Sequence, residues 1–203
     1  MFLWKALVAR AAEARPVRVG LIGAGKFGAM FLAQAPSTPG LAVTAVADLR
    51  PDAARASARA VGWSAERVDA LAVTDDAAAL AARDDVDVVV EATGDARAGL
   101  GHARAAIAAG KHVVMVNVEA DVLGGPALAA EARSAGVVYS MAYGDQPALV
   151  AELVDWARAC GFGVVAAGKG TKHLPAYHRS TPDTVWEHYG LTPQAAADAG
   201  MNP

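Results

Sequence analysis

Apolar positions along this chain follow two alternating patterns. Short runs that are apolar at consecutive positions occur at Val17–Ile22, Ala42–Ala47, Val86–Val90, His112–Val116 and Val137–Met141. Between them lie alanine-rich stretches with helical spacing of their apolar residues, clearest at Lys26–Gln34, Asp52–Ala60, Ala98–Ala109 and Pro126–Ser134. A strand without a polar face belongs in a parallel sheet covered on both sides. Its regular alternation with helices predicts an α/β fold with a doubly wound parallel sheet. Gly110 and Gly136 sit where helix C-caps are expected. The stretch from Val61 to Asp76 has weaker periodicity and holds a candidate short strand at Leu71–Val73.

The ends of the chain depart from this pattern. Residues 1–15 predict an amphipathic helix with Leu3, Leu7 and Val8 on one face, closed by Pro16. Lys5, Arg10 and Glu13 interrupt any signal-peptide core, and no run approaches the roughly 20 apolar residues of a membrane span. Near the other end, Pro147–Ala159 predicts a longer helix with an apolar stripe of Leu149, Leu153 and Trp156. Asp145 is placed to cap it. Gly163–Ala167 has the composition of a strand, and from Gly168 onward Gly, Pro, His and Thr accumulate and periodicity is lost. The organisation expected is therefore an N-terminal helix at 1–15, a nucleotide-binding domain at 16–143 and the start of a second, catalytic domain at 144–203.

Composition narrows the possible partners. At 203 residues and 54% hydrophobic content there is enough chain for one full α/β core and part of another unit. With 18 Lys and Arg against 21 Asp and Glu, net charge −3 and no clustering of either sign, no basic face is available for nucleic acid. The single Cys160 can form no internal disulfide and no thiol zinc site, which suits a reducing compartment. A cytoplasmic protein with neither nucleic-acid nor membrane partners is expected.

The strongest chemical signal is Gly23-Ala24-Gly25-Lys26-Phe27-Gly28, because it ends a strand and opens a helix. Gly23 permits the tight turn, Gly25 lets a pyrophosphate approach the backbone and Gly28 allows close helix–strand packing. The helix N-terminus, with Lys26 and Phe27 in its first turn, offers free N–H donors. This is the glycine loop of a Rossmann dinucleotide site. About twenty residues on, the second strand ends at Asp48, where a carboxylate meets the adenosine ribose. Asp48 favours NAD(H), whereas Arg50 can pair with the 2′-phosphate of NADP(H) or simply open the next helix. Both cofactors stay open.

Further candidates lie at other strand ends. Ala92, Thr93 and Gly94 close the run Val88-Val89-Val90-Glu91 in small and polar residues that can pass beside the nicotinamide half of a cofactor. Asn117 ends the next strand at the carboxyl edge, where ligands sit in such sheets. Glu119 and Asp121 suit either catalysis or the first turn of a following helix. Asp145 can present a carboxylate to substrate or metal. Lys169, Lys172 and His173 gather on a glycine-rich segment suited to an anionic group or general acid chemistry. His102 is expected on an exposed helix face, His112 at a strand start, and His178 and His188 lack zinc spacing. Cys160 reads as a packing residue.

With these residues in place, the chain resembles the N-terminal half of the homoserine-dehydrogenase-like, SAF-domain oxidoreductases, closest to the 1-deoxy-D-xylulose 5-phosphate reductoisomerase-like members. The resemblance is densest at Val17–Leu32, Val88–Gly94, Gly110–Asp121, Tyr139–Gly161 and Ser180–Pro193. Its more specific stretches are Gly144-Asp145-Gln146-Pro147-Ala148-Leu149 and Ser180-Thr181-Pro182-Asp183-Thr184-Val185-Trp186. It implies an NADPH-dependent enzyme, with a divalent metal, that converts 1-deoxy-D-xylulose 5-phosphate to 2-C-methyl-D-erythritol 4-phosphate in isoprenoid precursor synthesis. Lys169, Lys172 and His173 are then candidates for the substrate phosphate and Asp145 for metal or substrate. Two departures qualify it. Homoserine dehydrogenases follow the strand-end Asn with a lysine, whereas Asn117 is followed by Val118 and Glu119. The relatives also continue past the length of this chain, so a fragment that binds cofactor without turnover is the competing expectation. The exposed edge of an incomplete second domain makes a homo-oligomer a further candidate.

Overall fold

The computed structural model describes residues 3–144, 146–168, 174–181, 183–188 and 190–198, with the side chains of 146 and 147 left aside. It divides into two compact units, residues 1–156 and 157–203.

The first unit is a six-stranded parallel sheet in the order β3-β2-β1-β4-β5-β6. Its strands are β1 (Val17–Ile22), β2 (Leu41–Ala47), β3 (Ala72–Thr74), β4 (Val88–Glu91), β5 (His112–Met115) and β6 (Tyr139–Met141). The helices are α1 (Leu3–Ala12), α2 (Lys26–Gln34), α3 (Pro51–Ala60), α4 (Ala65–Ala70), α5 (Ala77–Ala81), α6 (Ala96–Ala108), α7 (Val118–Ala135) and α8 (Gln146–Ala159), the last running across the division between the units. The predicted doubly wound α/β sheet is therefore the one that forms.

Burial on both sheet faces explains the unbroken apolar runs. One face packs Ile22, Ala45, Val89, Val113 and Met115 against Leu80, Ala103, Ile107 and Leu128. The other packs Val19, Leu21, Val43, Val46 and Val90 against Leu32, Ala58, Trp63 and Val68. Alanine supplies much of the helical side, with Ala54, Ala58, Ala103, Ala106, Ala120 and Ala132 all buried.

Several sequence expectations change. The helix predicted from Pro126 begins eight residues earlier, because the Asn117 side chain accepts the N–H of Ala120 and starts α7 there. Pro126 lies inside this helix, and Gly136, at φ 71°, closes it in the left-handed conformation. Gly163–Ala167 forms no strand. These residues carry no regular structure and Val165 is fully exposed, because strand propensity is realised only beside a partner strand. The α8 stripe of Leu149, Leu153 and Trp156 is exposed, as are Leu3 and Val8 of α1. Cys160 is exposed rather than packed.

In the second unit a turn of 3-10 helix at Pro175–Arg179 precedes α9 (Val185–His188) and α10 (Pro193–Asp198), with Trp186 and Ala196 buried. Among the described residues no helix is long and apolar enough to cross a membrane.

Candidate cofactor site

The strand order places β1 between β2 and β4, so the connections leaving β1 and β4 depart in opposite directions. A crevice opens at such a switch point outside the carboxyl ends of the strands. Here the crevice encloses about 290 Å³ and is walled by Ile22, Gly23 and Gly25 from the first turn, Ala47 to Arg50 from the second, Asp75 and Ala77, then Ala92, Thr93 and Gly94, and finally His102.

The glycine loop has the geometry its sequence predicted. Gly23 has φ 95°, and a Cβ there would lie 2.8 Å from the Ala92 carbonyl oxygen, so a side chain is excluded on both grounds. A Cβ on Gly28 would collide with the Gly23 carbonyl, which is how α2 comes to lie against the loop. Gly25 faces open space, leaving its backbone accessible to a ligand.

The start of α2 lacks the side-chain cap that α4 to α7 carry; α3, which follows Arg50, also lacks one but has Asp52 in its first turn. Ser64, Asp76, Asp95 and Asn117 each accept a main-chain N–H at the beginning of α4, α5, α6 and α7. Gly25 offers α2 no side-chain cap, and its first turn contains no acid. Its N–H groups and the positive end of its dipole remain uncompensated at the crevice, where Lys26 and Phe27 are exposed. That is an anion-binding arrangement.

Asp48 sits at the end of β2. Its carboxylate accepts the N–H of Ala24 through one oxygen and the N–H of Arg50 through the other, each at 2.9 Å. Each oxygen keeps one lone-pair direction for a ribose hydroxyl. Arg50 is exposed at the rim.

Asn117 stands behind the crevice wall. It is 3% exposed, caps α7 and donates through Nδ2 to the Asp95 carbonyl at 2.9 Å and to Thr93 Oγ1 at 3.3 Å. It therefore holds Thr93, which does line the crevice. Glu119 and Asp121 lie in the first turn of α7, where their charge suits the helix dipole. Asp121 also accepts the Tyr139 hydroxyl at 2.7 Å, and burial together with that bond pushes the Tyr139 phenol well above its ordinary range.

Two crevice features escaped the sequence reading. Glu91 is fully buried, and His102, expected on an exposed face, is turned inward to within 3.1 Å of it. The signals were there: a carboxylate ending an apolar run, and a histidine one turn from Gly99 and Ala106 on the buried side of α6. Asp145, Lys169, Lys172 and His173 lie outside the described residues. Among the described residues no group of three His, Cys, Asp or Glu side chains converges to hold a metal.

Comparison with known proteins agrees with this geometry. The sequence model described as oxidoreductase family, NAD-binding Rossmann fold, GFO/IDH/MocA, matches residues 17–143, more than half of the chain. A second, described as oxidoreductase DRL, catalytic domain, matches residues 144–203. A glycosyl hydrolase family 109 protein of Saccharopolyspora erythraea is 44% identical over 79 residues, 38% of this chain and 17% of that protein. Among solved structures, a homoserine dehydrogenase from Thiobacillus denitrificans superimposes with a TM-score of 0.52 at 26% identity, covering 62% of this chain and 29% of that one. The WlbA dehydrogenase from Bordetella pertussis, solved with NADH and UDP-GlcNAcA, has a TM-score of 0.50 at 21% identity over 71% of this chain and 43% of that one, a likeness of fold. The chain thus spans less than half the length of each of these proteins.

Proposed function

This chain belongs to the oxidoreductase family built on an NAD-binding Rossmann fold, and from that premise we propose that it binds NAD(H) in preference to NADP(H) and serves an oxidoreductase acting on a small anionic carbonyl compound. The observation that carries dinucleotide binding is the uncapped start of α2 at the glycine loop, facing the same crevice as Asp48.

The residues fit a dinucleotide along the length of the crevice. The N–H groups at the start of α2 would hold the pyrophosphate, with Gly25 leaving room for its approach. Asp48 would accept from the adenosine ribose. Because two main-chain N–H groups pin its carboxylate, it cannot swing away from a 2′-phosphate, and two like charges at that distance repel. This supports the preference for NAD(H). Thr93 and Gly94 would pass beside the nicotinamide half. When bound, the cofactor supplies hydride transfer, and the protein's part is to orient it and exclude water.

For the substrate, the specific reading is reductoisomerase-like reduction of 1-deoxy-D-xylulose 5-phosphate. It is supported by the match of residues 144–203 to an oxidoreductase catalytic domain and by the cationic composition of Lys169, Lys172 and His173. The homoserine reading has the homoserine dehydrogenase likeness in its favour and the absence of a lysine after Asn117 against it.

Titration with NADH and NADPH, followed by cofactor fluorescence, tests the binding reading. NADH is expected to saturate the chain, NADPH to bind about tenfold or more weakly, and Gly25→Ala to weaken both while leaving the circular dichroism spectrum unchanged. Binding of neither nucleotide would remove the reading. Substrate is tested by oxidation of reduced cofactor by this chain with the sugar phosphate or with aspartate semialdehyde. No turnover with either compound would leave a binding module.

A further inference from the structure

Glu91 ends β4 with no exposed surface, its strand neighbours being Ile22 on β1 and Met115 on β5. Burying a carboxylate there is costly unless its oxygens are satisfied. Only one is. Oε1 accepts the N–H and the hydroxyl of Thr93 and lies 3.1 Å from His102 Nδ1, whereas Oε2 has no hydrogen-bond partner. α6 can pass this close because residue 99 is glycine. A Cβ at that position would lie 3.2 Å from Glu91 Oε2 and 2.8 Å from Asn117 Nδ2.

Proton positions follow along the chain of bonds from one fixed end. The Asn117 Oδ1 accepts the Ala120 N–H, which fixes the amide so that Nδ2 donates, to the Asp95 carbonyl and to Thr93 Oγ1. Thr93, accepting there, sends its own hydroxyl hydrogen to Glu91 Oε1. Oε1 is thereby an acceptor, and the hydrogen between it and His102 belongs to Nδ1. A neutral imidazole that donates through Nδ1 presents Nε2 as an acceptor. Because Nδ1 is turned toward Glu91, the ring edge left to the crevice carries Nε2.

We propose that His102 is a cofactor-contacting residue and Glu91 its positioning residue: the buried carboxylate holds Nδ1–H so that Nε2 accepts a hydrogen bond from a donor group of the bound dinucleotide. The inference rests on the dinucleotide reading of the crevice. Three donors have the required chemistry, a ribose hydroxyl, the nicotinamide carboxamide NH2 and the adenine 6-amino group.

The test uses NADH titrations of the wild-type chain, His102→Leu and His102→Gln. His102→Leu is expected to weaken NADH binding about five- to tenfold, the loss of one hydrogen bond. His102→Gln, whose side-chain oxygen can replace the Nε2 acceptor, should recover most of the affinity. Repeating the wild-type and His102→Leu titrations with the hypoxanthine analogue of NADH, which lacks the 6-amino group, separates that amine from the other donors. The leucine penalty disappears if that amine is the donor and persists if it is a ribose hydroxyl or the carboxamide. Nitrogen-15 spectra of His102 should show the Nδ1–H form in the free protein, a shift of Nε2 on adding NADH, and loss of the Nδ1–H preference in Glu91→Leu, which removes the acceptor. Equal NADH affinity in wild type and His102→Leu, or an Nε2–H ring in the wild type, would overturn the inference while leaving the dinucleotide site standing. A wild-type chain that binds neither NADH nor NADPH would overturn both.

Discussion

The carboxylate of Asp48 accepts the main-chain N–H of Ala24 at 2.9 Å, tying the end of β2 to the middle of the glycine loop. One side chain thereby shapes the loop and lines the crevice, where the proposed reading sets it against the ribose. Replacing it should affect both roles. Asp48→Ala is expected to weaken NADH binding about tenfold, roughly 1.4 kcal/mol, and to weaken NADPH binding much less, because repulsion of the 2′-phosphate is relieved. The ratio of the two dissociation constants is the measurement, and an unchanged ratio would refute the role in cofactor choice.

The two inner glycines should separate stability from binding. Gly28→Ala forces a methyl group against the Gly23 carbonyl, so α2 must shift away from β1, at a cost of about 1–3 kcal/mol. Urea unfolding should register it as a lower midpoint. Gly25→Ala adds a methyl group where no protein atom lies within 4 Å, so its midpoint should stay close to that of the wild type while affinity falls. Equal midpoints for the two variants would count against the packing role given to Gly28.

Trp63 links the cofactor helix to the α3–α4 region. Its indole N–H donates to the Leu32 carbonyl at 2.8 Å, in the last turn of α2 where that carbonyl lacks a helical partner. Trp63→Phe leaves this buried acceptor unsatisfied and should cost about 1–3 kcal/mol. The difference in urea midpoint reads it directly.

At the opposite edge of the sheet, Arg18 donates to Asp87 from its guanidinium and from its main-chain N–H. The guanidinium bond is the larger cause that holds the Asp87 carboxyl down at about 2. A carboxyl lowered on folding contributes stability above its unfolded value, near 3.9. That contribution is lost as pH falls from about 4 through 2. The pair is more than a third exposed, so solvent screening keeps its contribution small. Urea midpoints of Asp87→Asn should fall less than those of the wild type over this interval, and parallel pH curves would exclude the linkage.

Sequence alone determined the features that depend on local chemistry or on periodicity. The unbroken apolar runs from Val17 to Met141 required a covered parallel sheet, and Gly23, Gly25 and Gly28 identified the turn because only glycine tolerates its backbone and its close contacts. Asp48 followed from its distance along the chain. What tertiary structure decided depended on neighbours distant in sequence. Gly163–Ala167 had a strand's composition but takes no regular structure. Leu149, Leu153 and Trp156 had the spacing of a buried stripe, yet they remain exposed. His102 turned inward because Gly99 lets α6 approach a carboxylate eleven residues earlier in the chain. Periodicity identifies which face of an element is apolar. Only the folded chain supplies the partner atom that makes a polar residue on that face tolerable, and with it the chemistry of the site.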